Sequence, residues 1–379
     1  MPNKKISQFT TVGSINSDDV FLINQTGTTN TVTMNTVSAA INTIISNKFI
    51  QKPAIVSGGE VLTYNGSTAT WVARSDESGF RNRIINGDMR IDQRNAGVAA
   101  TIGAGVNYTL DRWAAWRTSG VSGSTAQRVA GYSGFQYALR MQRTSSNAST
   151  ADLALNQIFE STNILDLAGQ TVTLSFYAKA GANYSAASSS ISCAFGSSTS
   201  IDQSSAGAYN GTWPGLAGTS TSVAINSSSA TRVTLTYTVP ANMQSLTVQI
   251  SYTPTGTAGA ADYVDITGVQ LEKGTTATPF EFRPIGTELA LCQRYYELMD
   301  IALATYAAAA GSFYAVRNSL KVSKRSTPVL TTVSQSFTNA GAIAGGLGNG
   351  ANSTVYWSVS ASTIGGMQAT LILSADSEL

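Results

Sequence analysis

Residues able to do covalent or acid–base chemistry are few in this chain and thinly spread. Histidine is absent from all 379 positions. Its absence removes Ser-His-Asp and Cys-His activation, His-ligated zinc and the commonest general base. The carboxylates fall into three loose groups. Asp88 and Asp92 share a face only if their segment is a regular strand, Asp262 and Asp265 sit near a strand start, and Glu272 and Glu281 lie nine positions apart. Glycosidic hydrolysis needs two carboxylates flanking a cleft, roughly 5–9.5 Å apart. No spacing here dictates that, so no catalytic residue is assigned and the chain is expected not to be an enzyme. Cys193 and Cys292 match no metal or redox spacing. Two buried thiols are expected, with a disulfide between them as the alternative.

Binding chemistry has better candidates. A sugar ring offers apolar C–H faces and a hydroxyl rim, so its recognition calls for exposed aromatic rings with polar neighbours. The rings to weigh are Trp113, Trp116, Tyr177, Tyr209, Trp213 and Tyr252. Trp113 and Tyr177 fall in alternating strands and are expected in a core. Trp116, three positions on, would face the other side of its strand. Trp213 stands in the turn-rich Tyr209-Asn-Gly-Thr-Trp-Pro214. A glycan platform is therefore expected at Trp213, Tyr209 and Trp116.

Charged residues make up only 12% of the chain, about half the usual share. The surface must then be built from Ser, Thr, Asn, Gln, Gly and Ala, a style of extracellular β-proteins. A net charge of +2 creates no field that would attract nucleic acid or an anionic membrane. The opening Met1-Pro-Asn-Lys-Lys-Ile-Ser lacks the apolar stretch of a signal peptide, and no run of about 18 apolar residues could span a bilayer. Synthesis and folding in a cytoplasm, without membrane insertion, are expected.

The elements that must position these residues are mostly strands. Residues 1–50 read as a small β-unit (Val20–Ile23 and Thr31–Thr33 among its strands) followed by a helix from about 36 to 49. Val37, Ile41, Ile44 and Ile45 form an apolar stripe at helical spacing. It would either cover the β-unit or serve as a seam against other copies of the chain. Residues 51–80 hold a hairpin, Val61–Tyr64 and Thr70–Val72 around Asn65-Gly66, and a linker. Trp71 should lie across from Leu62 or Tyr64.

From 81 to 285 the pattern is nearly all β. Strands are expected at 84–91, 109–117, 136–143, 153–159, 171–179, 190–195, 222–225, 231–239, 245–252 and 262–271, with the alternation of one-face-buried strands. That number and spacing argue for a β-sandwich. Residues 286–379 read as a smaller β-domain. It would open on a helix over 286–306 capped by Thr287, although Arg294-Tyr-Tyr296 could equally begin a strand. Later strands are expected at 311–316, 320–322, 329–330, 354–359 and 368–373, with 339–350 as a tip loop. The fold class is mainly β.

Several motifs then occur in order: Asn86-Gly-Asp88, Gln93-Arg94, Tyr108-Thr-Leu-Asp-Arg-Trp113, Phe176-Tyr-Ala-Lys179, Gly268-Val-Gln-Leu-Glu-Lys-Gly274, Thr278-Pro-Phe-Glu-Phe-Arg283 and Glu288-Leu-Ala-Leu-Cys-Gln-Arg-Tyr-Tyr296. This set resembles the central domain of tail-fibre and receptor-binding proteins of tailed phages, a jelly roll like those of carbohydrate-binding modules. Lys5-Ile-Ser and Asp19-Val-Phe-Leu-Ile23 are similar to virion-proximal heads of such fibres. The resemblance covers about residues 80–300 and extends loosely to the N-terminus.

It implies a homotrimeric fibre of the virion tail, assembled in the host cytoplasm. The N-terminus would attach to other tail or baseplate proteins, and the β-domains would meet host surface polysaccharide or lipopolysaccharide. It also implies a structural calcium, for which Asp88 and Asp265 hold suitable places, with no other cofactor. A polysaccharide-cleaving tailspike, or a baseplate or capsid decoration protein, remains an alternative.

Overall fold

A computed structural model of the chain describes residues 80–118, 123–341 and 352–379, together with the backbone of five further strands at 20–25, 28–33, 60–64, 69–73 and 344–347. The chain divides into two compact units, 1–78 and 79–379.

In the first unit, β1 (Val20–Gln25) and β2 (Thr28–Thr33) pair antiparallel, as do β3 (Glu60–Tyr64) and β4 (Ala69–Ala73). Leu62 lies opposite Trp71, the register expected from the hairpin. The helix over 36–49, with the seam residues Val37, Ile41, Ile44 and Ile45, lies outside the described residues.

The second unit contains two β bodies. The central one has the strands β5 (Ala100–Thr101), β6 (Asn107–Leu110), β7 (Trp113–Arg117), β8 (Ser124–Ala130), β9 (Tyr137–Arg143), β10 (Leu153–Ile158), β11 (Thr171–Ala180), β12 (Ser190–Ser198), β13 (Ala217–Ala224), β14 (Thr231–Thr238), β15 (Ser245–Tyr252) and β16 (Tyr263–Lys273). They form two six-stranded sheets, ordered β13-β12-β15-β10-β7-β6 and β14-β11-β16-β9-β8-β5. Alternate residues supply the core between them: Leu174 and Phe176 from one sheet meet Leu155, Val248 and Ile250 from the other. Period-2 patterning fixed which face of each strand is buried.

Two expectations fail here. Residues 84–91 form no strand. Asn86 and Met89 take positive φ, which breaks any extended run. The expected strand 109–117 is a hairpin instead, turning at Asp111-Arg112 with Arg112 at φ 71°. Strand β8 was not anticipated, because Ser-Thr-Ala-Gln-Arg-Val-Ala carries little hydrophobic signal.

The C-terminal body has β17 (Tyr296–Ala307), β18 (Phe313–Ser319), β19 (Val329–Thr338), β20 (Ala344–Leu347), β21 (Thr354–Ser360) and β22 (Gly365–Asp376). They form two three-stranded sheets, β17-β22-β19 and β18-β21-β20. The helix expected over 286–306 is confined to Ile285–Gln293. From Tyr296 the alternation of Met299, Ile301 and Leu303 inward with Asp300, Ala302 and Ala304 outward makes a strand. Thr287 is not the cap: Pro284 occupies that position, with no side-chain hydrogen bond. Residues 320–322 are not a strand, and the expected tip loop contributes β20, which pairs with β21. Among the described residues, no helix is long and apolar enough to cross a membrane.

Candidate functional site

The ordered motifs meet in space as a clasp. Segment 82–87 runs beside β16. Asn82 accepts the amides of Ile84 and Leu271 (both 3.0 Å) and donates to the Val269 carbonyl (3.2 Å), while its own amide donates to Glu281 (2.8 Å). Gly87 is required there, since a Cβ would stand 2.1 Å from the Val269 carbonyl oxygen. The Asn86 side chain donates to the Ile91 (2.7 Å) and Asp111 (3.0 Å) carbonyls, and the Asn86 backbone carbonyl accepts the Trp113 indole N–H (2.9 Å). From the closing motifs, Arg283 donates to the Ile84 carbonyl (2.9 Å) and pairs with Glu288 (3.1 Å), which takes the Asn86 amide. Glu272 accepts the amide and hydroxyl of Thr278.

A second set of motif residues joins the central body to the C-terminal one. Arg94 pairs with Asp376 (2.8 Å) and Glu378 (3.1 Å) and lies over the rings of Tyr108 and Tyr296. Arg112, fully buried, pairs with Glu378 and stacks on Tyr295. Gln93 bridges the Asp111 carboxylate (2.6 Å) and the Tyr296 carbonyl (3.0 Å). Tyr108 donates to the Leu379 carbonyl (2.8 Å). On the far side, Arg294 holds Glu160 (2.5 Å).

The carboxylates singled out for chemistry are thereby accounted for. Asp92 accepts the amides of Asn95 and Gly97 and fixes a turn. Asp262 pairs with buried Arg143 (2.8 Å) and accepts from Ser185. Asp88 is ion-paired with Arg90, and Asp265 is held by both Nε and Nη2 of Arg140 (2.7 and 2.9 Å). The calcium expectation at Asp88 and Asp265 does not fit. Each carboxylate already has an arginine as counter-ion, and no group of three potential metal-binding Asp, Glu, Cys or His side chains occurs among the described residues. Burial raises the Asp88 carboxyl above its ordinary value, with Arg90 opposing. Cys193 and Cys292 are both free and buried, and burial pushes the Cys193 thiol up to about 12.

The proposed aromatic platform is folded differently from the expectation. Helix α1 (Ser205–Tyr209), capped by Ser204 accepting the Gly207 amide, lies over β10 on the outer face of its sheet. Trp213 is not an exposed ring. It is 3% exposed, donates to the Ser204 carbonyl (3.0 Å) and packs against Gly207, where a Cβ would approach its ring to 2.9 Å. Trp213 thus props α1 from behind. Trp116 does face away from the core that holds Trp113, but it is 5% exposed, covered edge-on by Tyr209 at 4.3 Å between centroids. Tyr209, half-buried, donates to the Arg117 carbonyl (3.3 Å). Trp116 and Tyr209 pack ring on ring, and Trp213 supports the helix that carries Tyr209.

Beneath and beside these rings are groups that sequence reasoning missed. Asn156 is 1% exposed, and neither its amide nitrogen nor its oxygen has a partner; the same holds for the Trp116 indole nitrogen. A polar residue in the otherwise apolar run Leu153-Ala-Leu-Asn was the available signal.

No protein-family model and no curated protein matches this chain. Solved structures resemble it over about half its length. The enzymatically active domain of tailspike protein 4 of bacteriophage CBA120 is 12% identical over 51% of this chain, with a TM-score of 0.31, and the match spans 22% of the tailspike chain. A family 61 carbohydrate-binding module in complex with β-1,4-galactotriose is 11% identical, covering 52% of this chain and all of its own (TM-score 0.30). A xylan-binding domain from Paenibacillus barcinonensis is 12% identical over 48% of this chain and 99% of its own (TM-score 0.28). Similarity at this level gives no residue-by-residue correspondence.

Proposed function

We propose that this chain is a non-catalytic fibre protein of a phage tail, acting as a homotrimer that adsorbs to glycans of the host surface. Residues 1–78 would attach to the tail or baseplate, and residues 79–379 would present the binding surface. The observation that carries the reading is the fate of the motif residues. Asn82, Asn86, Gln93, Arg94, Arg112, Glu272, Arg283 and Glu288 all bond within the clasp or across the junction of the two β bodies. They build a scaffold, and the carboxylates weighed as acid and base are taken up in it: Asp88, Asp262 and Asp265 by arginines, Asp92 and Glu281 by backbone amides, and Glu272 by Thr278. A weakly charged, Ser/Thr/Asn-rich surface suits work outside a cell.

Light scattering on the purified chain should give three times the 39.5-kDa chain mass. Labelled protein should bind host cells and their purified surface polysaccharide without releasing reducing ends. A monomer at micromolar concentration would remove the fibre reading, and reducing-end release would replace it with a depolymerase.

A further inference from the structure

Between β10 and β11 the chain makes two 3₁₀ turns, Ser161–Asn163 and Leu165–Leu167. Ile164 and Leu167, three positions apart and so on one side of such a turn, enter the central core. They pin the stretch and leave Thr162, Asn163 and Asp166 exposed. The start of the clasp reaches these residues: Arg83 donates to the Asn163 carbonyl (3.2 Å) and pairs with Asp166 (2.7 Å). A cavity of about 290 Å³ lies here. Its lining is apolar at Ile85 and Leu291, aromatic at Phe80, and polar at Thr162, Asn163, Asp166 and Arg83. Phe80 is 45% exposed, yet its ring is held in place. The Arg283 guanidinium, itself tied to Glu288 (3.1 Å) and the Ile84 carbonyl (2.9 Å), stands 4.8 Å from the ring centroid.

We infer that this cavity binds one neutral hexose unit of a surface glycan, with Phe80 as the platform for its C–H face and Asp166, Arg83 and Asn163 as partners of its hydroxyls. The inference rests on the glycan-adsorption reading above and names the site and the ligand class. A paired guanidinium and carboxylate set donors beside acceptors, and the Asn163 amide adds one of each, which is what neighbouring hydroxyls of a sugar require. Phe80, Thr162, Asn163 and Asp166 are all exposed, so a ligand reaches them without any opening of the fold. The size, at the lower edge of the roughly 300–1,000 Å³ typical of small-molecule sites, suits one ring and not a chain threaded through a cleft. The charges that line the cavity are balanced, Arg83 by Asp166 and Arg283 by Glu288. A uronic or sialic acid would find both arginines paired and would set its carboxylate against that of Asp166, a like-charge contact that disfavours it. The arginine contacts also fix Phe80 and Asp166 before a ligand arrives, which lowers the cost of ordering them.

The test uses the full chain on an array of glycans with neutral hexose termini and with uronic or sialic acid termini, and measures host-cell binding in parallel. Three variants alter exposed side chains, so the fold should survive each and thermal melting should stay close to wild type. Phe80→Ala removes the platform, Asp166→Ala removes the acceptor and Asn163→Ala removes the amide. Wild type should bind neutral termini. Phe80→Ala and Asp166→Ala should each weaken that binding at least tenfold, and Asn163→Ala several-fold, while light scattering gives the wild-type mass for all three. Unchanged glycan binding by the folded variants, or a preference of wild type for acidic termini, would overturn the site while leaving the adsorption reading in place. A fall in mass with Phe80→Ala would overturn it in favour of a contact between copies of the chain. Failure of wild type to bind either cells or glycans would overturn both readings.

Discussion

Between its two six-stranded sheets the central body buries a continuous apolar core, from Ile84 through Phe176 to Leu271. The C-terminal body has half as many strands and a smaller core around Trp357 and Leu371. Its strand β19 is exposed along most of both faces, with Val329 and Val333 open to solvent. Like the central body, with its Arg143–Asp262 pair, the smaller body also buries ions. Lys324 and Glu297 pair at 2.7 Å with both side chains fully buried, and Arg112 of the central body reaches Glu378. Within it and at its junction, removing one partner of such a pair would leave a buried charge unmet.

The sharpest way to break that comparison is to leave a buried charge alone. Glu378→Gln strands Arg112, and loss of one partner of a buried pair costs about 3–5 kcal/mol. Denaturant titration should show that loss, and Arg112→Met combined with Glu378→Gln should recover much of it. Lys324→Met should cost a similar ~3–5 kcal/mol, but inside the C-terminal body. Hydrogen exchange should then rise over 296–376 while β11 and β16 stay protected. Equal loss of protection in both bodies would show that they unfold as one.

An intermediate effect concerns pH. Burial, opposed by hydrogen bonds from Gln93, raises the Asp111 carboxyl at the junction to about 6. In the unfolded chain a carboxyl of this type loses its proton near 4. Between those values the native state holds the extra proton, so this group's contribution to stability falls as pH rises from about 4 to 6. Asp111→Asn should flatten that part of the stability profile. The smallest effect is local. Ser204→Ala removes the cap of α1 and should cost about 1 kcal/mol, seen as faster exchange at Gly207 and Ala208 with both β bodies unaffected.

Much of the strand pattern was readable because period-2 burial is written directly into segments such as Thr171–Ala180 and Ser245–Tyr252. The misread stretches are those where burial follows other rules. Segment 84–91 is apolar because Ile84 and Met89 enter the central core while Ile85 and Ile91 pack with Cys292 of α2 (Ile285–Gln293) and Tyr295, and not because it is a strand. Tyr296–Ala307 carries leucine, methionine and alanine, which favour helices in isolation, yet its cross-strand partner β22 makes it a strand. Trp213 looked exposed because its neighbours are turn formers, and only its packing on Gly207 reveals that it is buried.

By itself the sequence determined the β class, the lack of histidine chemistry, the burial of Trp113 and the ordered motifs. These are properties of composition and local spacing. Only the tertiary structure decided what the motifs do. Arg112 and Glu378 are 266 positions apart in the chain, and Asn82 finds Leu271 across 189. No local pattern encodes such partners, because closing so long a loop has to be offset by the whole packed core. The same holds for Asn156 and Trp116, which come onto one face only when β7 and β10 pair.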